Sequence, residues 1–397
     1  MSRRVLIVGA GGARARLDRA AQAIGVETVT LPLEHDTQSE ADCAEHPVAT
    51  TAEDIARFAA DVGADGICAA DERAVAAAAV AAAQLSLPGP AFDTAARLVN
   101  VPGMRDALTG CGVSVPLFRV ADSLEQAELA ARDLPLPFVV RPASGRRDSA
   151  VRLLRHIEDL PLAFARARRC SGNGVVLLEE AVEGREYEVL AVIHKGDLAF
   201  SITGRIEERA DRCLLATGMS MPAAVDDAGR EVLVERAAQA LAAVGYDNGP
   251  ARVRLVLTSE GPVVRDVGHL CSTHCAVLDM ARFCCGADLI ADAIRVAFGE
   301  PPHETTTAEC SAAAFWIPAH SGTVEEIHGL HSAARLPGVL DLAIHVKPGD
   351  ELGHVIDRES RDRIGWVIAA GKDAGEAIAT ARRARGLVEI RTSPIRR

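Results

Sequence analysis

The sequence predicts a multidomain α/β protein that opens with a doubly wound parallel sheet. Three observations predict it. Strands and helices alternate through the first hundred residues, the pattern of a parallel sheet with helices on its faces. Longer strands joined by tight turns follow, which adds antiparallel hairpins. The chain has 397 residues, enough for two to three domains at about 150 residues each.

The first strand is Val5-Leu-Ile-Val8, a four-residue apolar run that ends in Gly9-Ala-Gly-Gly12. Glycines there allow a sharp turn and bring bare N–H groups to a helix start, the geometry of an anion or nucleotide site and equally of an ordinary strand-to-helix turn. An amphipathic helix over 14–24, a strand over 26–31 and a helix over 52–63 come next, the last introduced by Thr50-Thr51 with Glu53 in its first turn. Gly66-Ile-Cys-Ala69 is a buried strand, 71–85 a helix, and Leu87-Pro-Gly89 a turn; this unit ends near residue 97. A helix lies within 98–115. Strands follow at 138–140, 151–154 and 175–178, with a polar loop from Pro142 to Ser149. Residues 186–193 and 197–202 pair around the turn His194-Lys-Gly-Asp197. A helix spans 227–244, strands 251–257 and 262–267 flank Ser259-Glu-Gly261, and a helix covers 287–298. Residues 310–397 read as a mixed α/β cap with strands near 312–317, 341–346, 364–369 and 387–391.

Composition narrows the function classes. Lys and Arg number 43 against 55 Asp and Glu, a formal charge of −12, which disfavours nucleic acid and anionic membrane as partners. No uncharged apolar run approaches the ~20 residues of a membrane span. The N-terminus lacks a signal peptide's longer apolar region, so a cytoplasmic location is expected. The 10 cysteines are scattered with no CxxC pair, which favours reduced thiols over a disulfide framework. The only lysines are Lys195, Lys347 and Lys372, so no mechanism can draw on a lysine in the first 194 residues.

The order of these pieces resembles the ATP-grasp superfamily, and within it the carboxylate–amine ligases that include L-amino-acid (dipeptide) ligases. The matching segments are Phe138-Val-Val-Arg-Pro142, the hinge Leu177-Leu-Glu-Glu180 with Glu183-Gly-Arg-Glu-Tyr187, Thr217 to Pro222, and the strands Gly249 to Leu255 and Gly261 to Asp266. Cys285-Gly-Ala-Asp-Leu289 and the stretch from Pro337 to Ile368 continue the match. The resemblance implies a pre-ATP-grasp α/β domain over 1–97 and an ATP-grasp small (lid) subdomain over 98–180. It implies the central domain over 181–305 and a C-terminal α/β domain over 306–397. It also implies ATP and Mg²⁺ as cofactors, an acyl phosphate intermediate attacked by an amine, and small-molecule carboxylate and amine substrates. A homodimer is a further implication, with no nucleic acid or membrane partner.

Carried over residue by residue, the resemblance assigns nucleotide contacts to Arg141, Glu180, Val182 and Glu186. The phosphate-binding lysines of the family fall at Val101-Pro102 and at Arg141, and the phosphate loop at Gly145-Arg-Arg-Asp-Ser149. Arginine binds phosphate in a forked geometry that lysine lacks, so the second replacement is not neutral. On the metal strands the first glutamate falls at Arg254, the second at Asp266, the asparagine at Gly268, and the arginine that steadies the tetrahedral intermediate at Leu270. Asp266 is then the remaining candidate Mg²⁺ ligand, and fixed positive charge at Arg254 opposes a divalent ion or pairs with Asp266. Arg254 and His269 are the candidate catalytic groups. His269-Leu-Cys271-Ser-Thr-His274-Cys275 offers a second possibility, a transition-metal site on His269, Cys271 and His274, or a nucleophilic cysteine. Plain packing of these side chains is the competing reading. Three functional readings follow: an amide- or peptide-forming ligase with an altered metal site, a degenerate relative that binds nucleotide or a small molecule without turnover, and an ATP-independent enzyme in the same cleft.

Overall fold

The computed structural model describes residues 2–9, 14–33, 51–70, 72–144, 150–210, 214–270, 274–303, 308 and 310–395. Its strands are β1 (4–8), β2 (27–31), β3 (66–69), β4 (118–121), β5 (138–142), β6 (152–154), β7 (176–180), β8 (185–194) and β9 (197–210). They continue as β10 (215–221), β11 (249–258), β12 (261–269), β13 (311–316), β14 (322–328), β15 (339–344), β16 (351–352), β17 (365–371) and β18 (389–393). They form four sheets.

The first sheet has the order β2-β1-β3 and is parallel throughout, as the alternation predicts. β1 is fully buried from Val5 to Val8, because helices cover both of its faces. The helix Ala52–Asp61 is capped by Thr51, which accepts from the Asp54 N–H while the Asp54 carboxylate returns to the Thr51 N–H. Such a reciprocal cap satisfies two of the N–H groups that every helix start leaves open. The partner is Asp54 rather than Glu53, because a capping box needs its acidic residue at the third helical position.

The second sheet, β4-β7-β5-β6, is antiparallel and holds Arg141 on its buried strand β5. The third and largest runs β12-β11-β8-β9-β10-β13-β17-β15, all antiparallel. The turn at Lys195-Gly196 joins β8 to β9, and Lys195 takes positive φ there. The fourth, β16-β14-β18, lies among the last eighty residues. Strands β13, β15 and β17 therefore extend the large sheet, and β18 leaves it for the small one.

Three helices that the sequence reading left unassigned lie at 92–99, 124–131 and 160–170, and a fourth at Cys275–Cys285. The last matters most for the site. His274 caps it, its Nδ1 accepting from the Ala276 N–H. A histidine cap falls outside the usual Ser, Thr, Asp and Asn signal, which is why this helix start was not legible. Gly184 links the second and third sheets at φ +153°, and a Cβ there would lie 2.4 Å from the Leu257 carbonyl. No described helix is long and apolar enough to cross a membrane.

Candidate active-site cleft

Two cavities flank the edge of the large sheet. The smaller, about 90 Å³, lies between that sheet and the second one. It is lined by Arg141 from β5, Glu186 and Glu188 from β8, Arg254 from β11, and Arg265 and Asp266 from β12, with His274, Trp316 and Arg361 closing it. The larger, about 940 Å³, lies between the first sheet and the ends of β11 and β12. Its walls are mostly apolar, from Ile67, Ala78, Leu278, Ile290 and their neighbours; its polar lining includes His269 and a cluster in which His274 meets Trp366 and Asp362 and His345 meets Trp366.

The small cavity is a lattice of arginine–carboxylate pairs. In the register of three adjacent strands, Arg254 stands opposite Glu188 on one side and Asp266 on the other. Arg254 Nε donates to Glu188 at 3.0 Å, and Arg252, two residues back on the same strand face, donates to Asp266 at 3.1 Å. Arg254 and Asp266, the pair that the sequence analysis considers, are cross-strand neighbours, and Arg252 also reaches Asp266. Glu186 accepts from Arg209 and from Arg265 Nη1, the latter at 3.0 Å. The pairing of β11 with β12 shifts by one residue after Arg254, a bulge that turns Arg265 toward Glu186.

Behind this lattice sits Arg105, wholly buried. It donates to the carbonyls of Val264 and Arg265 and to Glu179, at 2.7, 2.6 and 2.8 Å. Burial pushes its guanidinium down to about 10, against the pull of Glu179. Glu179 also faces Arg141 at 3.6 Å, and Arg141 Nε has no hydrogen-bond partner among the described residues. From the sequence alone Arg105 is assigned no role. Its role follows from tertiary placement, since nothing in the local pattern separates a buried arginine from a surface one.

The other expected nucleotide residues lie apart from this lattice. Glu180 ends β7, where its carboxylate accepts from the Leu117 N–H at 2.9 Å. Val182 is half-buried in the link between β7 and β8. Neither is among the residues that line the two cavities.

His274 borders both cavities. With Nδ1 accepting from Ala276, its proton resides on Nε2, which faces Asp362 at 3.3 Å. The ring packs edge-on between the only two tryptophans of the chain, Trp316 at 5.1 Å and Trp366 at 4.8 Å. Arg361 stacks on Trp316 at 3.9 Å. Both nitrogens of His274 are thus engaged by protein groups. His269 faces the large cavity, where burial pushes its imidazole down to about 4 and keeps it neutral. Cys271 lies outside the described residues. Among those described, no three His, Cys, Asp or Glu side chains come together as a metal site. The cysteine beside His274 is no activated nucleophile, because burial pushes the Cys275 thiol up despite nearby Arg16.

The donor set around the small cavity does not fit a pair of divalent ions. Hard cations need several free carboxylate or carbonyl oxygens. Here Glu186, Glu188 and Asp266 each already hold a guanidinium, and the one on Glu188, Arg254, is also the cross-strand neighbour of Asp266.

Comparison with known proteins places this architecture. Residues 105–305 match the family model of the carbamoyl-phosphate synthase L chain, ATP binding domain, and residues 314–393 that of the L-amino acid ligase C-terminal domain 2. The chain belongs to the ATP-grasp superfamily, on its carboxylate–amine ligase branch. It is 29% identical over 315 residues to the uncharacterized protein y4rH of Sinorhizobium fredii, a match covering 78% of this chain and 64% of that one. It is 34% identical over 148 residues to D-alanine–D-alanine ligase of Mycobacterium tuberculosis, covering 34% of this chain and 39% of the ligase. The chain thus spans less than two thirds of either relative. In fold it is similar to the L-amino acid ligase from Bacillus licheniformis, at a TM-score of 0.83 and 18% identity over 99% of both chains. It is also similar to the biotin carboxylase domain of the Hydrogenobacter thermophilus 2-oxoglutarate carboxylase in complex with MgADP, at 0.72 and 18%, over 98% of this chain and 91% of that one.

Proposed function

We propose that this protein binds a small molecule in the large cavity and does not turn over ATP to form an amide. The observation that carries the reading is the division of open space. About 940 Å³ lies on the side of the first sheet, within the range of about 300–1,000 Å³ that holds an organic ligand. About 90 Å³ lies beside β11 and β12, well below that range. A ligand with an apolar body would bury it against Ile67, Ala78 and Ile290, while its polar head met His345, Asp362 and Trp366. An amino acid or short peptide has that character, and the likeness in fold to an L-amino acid ligase supports the class.

Phosphate and ADP release, followed with ATP and Mg²⁺ across a panel of paired amino acids, tests the reading. It predicts release no faster than from ATP alone. Release that requires both a carboxylate and an amine would overturn it and restore the ligase reading, which the family relationship favours.

A further inference from the structure

We propose that Arg254, with the buried Arg252 behind it, is a tethered cation standing where ligases of this fold hold divalent ions, so that a phosphate- or carboxylate-sized group entering the small cavity meets guanidinium in place of a metal ion. The proposal rests on the strands around the small cavity and is independent of what fills the large one. Three adjacent strands carry Glu188, Arg254 and Asp266 in one row, with Arg252 on the same face of the middle strand. Two carboxylates facing each other across a central strand would be a natural divalent-ion clamp. The central residue is instead a cation bonded to Glu188, and Asp266 is bonded to Arg252, which is itself buried. A divalent ion placed there would have to displace two ion pairs and sit against fixed positive charge. At a few ångströms such repulsion is large even at the effective dielectric of a protein interior.

Guanidinium groups line the cavity, and two of them hold carboxylates outside its lining, Arg361 with Asp362 and Arg141 facing Glu179. Among the described lining residues, four arginines face three carboxylates. Arg141 is nine-tenths buried, and its Nε has no hydrogen-bond partner among the described residues. A forked guanidinium meets a planar or tetrahedral oxyanion well without any metal.

The test is Mn²⁺ binding to the full chain, followed by electron paramagnetic resonance of the free ion. The wild type is expected to leave the free Mn²⁺ signal unchanged. Arg254→Glu adds a third carboxylate to Glu188 and Asp266 and removes the repulsion, so Mn²⁺ binding should tighten by at least about tenfold. Adding Asp266→Asn should remove that gain. If Arg254→Glu does not fold, judged by circular dichroism, Arg254→Gln serves, and it too should bind Mn²⁺ more tightly than the wild type. Stoichiometric Mn²⁺ binding by the wild type that Asp266→Asn abolishes would overturn the proposal. So would a folded Arg254 variant that binds Mn²⁺ no better than the wild type.

Discussion

The two cavities beside the large sheet share the histidine His274 and little else. One is wide, mostly apolar and lined by small side chains; the other is narrow and filled by guanidinium–carboxylate pairs. On the large side, alanines such as Ala78, Ala79 and Ala293 leave volume that no described residue fills. On the small side, Arg252, Arg254 and Arg265 each bond a carboxylate, and each long side chain consumes space while neutralising it. A buried lattice of this kind adds little net stability over an apolar core, but breaking one member is costly because its partner is left charged and dry.

The sharpest way to break the contrast is through Arg105, the buried anchor of the small side. Arg105→Ala would strand Glu179 and remove bonds to two carbonyls of β12, so urea unfolding should show a loss of about 3–5 kcal/mol. A loss below about 1 kcal/mol would mean the lattice is not under this tension.

The large side should reveal itself through pH. His269 titrates near 4 in the folded chain and near 6.5 unfolded, so between those values the unfolded state binds more protons. Stability should therefore be full above pH 6.5 and decline as pH falls toward 4, by at most about 3 kcal/mol. His269→Gln should flatten that part of the profile, and an unchanged profile would assign the loss to other groups.

A smaller effect is expected at the link between the sheets. Gly184→Ala forces a Cβ toward the Leu257 carbonyl at a positive φ, and about 1–3 kcal/mol of stability should be lost in thermal or urea unfolding. A neutral result would mean that the link between β7 and β8 moves freely. The smallest effect on stability comes from filling open space. Ala293→Phe projects into the large cavity and should change stability by less than about 1 kcal/mol. The same variant should reduce the fluorescence of an anilinonaphthalene sulfonate probe bound there; undiminished fluorescence would place the probe elsewhere.

Much of the fold was legible in the sequence, and for a plain reason. Period-two strands, glycine turns and alternating helices are local signals, and β1 to β3, the β8–β9 hairpin and the helix 227–244 all express them. The helix 275–285 was not legible because a histidine caps it. The losses at Arg254, Gly268 and Leu270 were visible as residue types, yet the partners were not. That Arg254 bonds Glu188, and Arg252 bonds Asp266, depends on the register of three strands distant in sequence. The packing of His274 between Trp316 and Trp366 likewise joins residues up to ninety positions apart, which no spacing rule anticipates.

Under the proposal above, fixed guanidinium charge takes the place of divalent ions beside β11 and β12. Calorimetric titration of ATP into nucleotide-free protein, with and without Mg²⁺, tests it most directly. The account predicts that Mg²⁺ leaves the isotherm unchanged, whether ATP binds weakly or not at all. Binding that tightens by about tenfold or more when Mg²⁺ is added would contradict it.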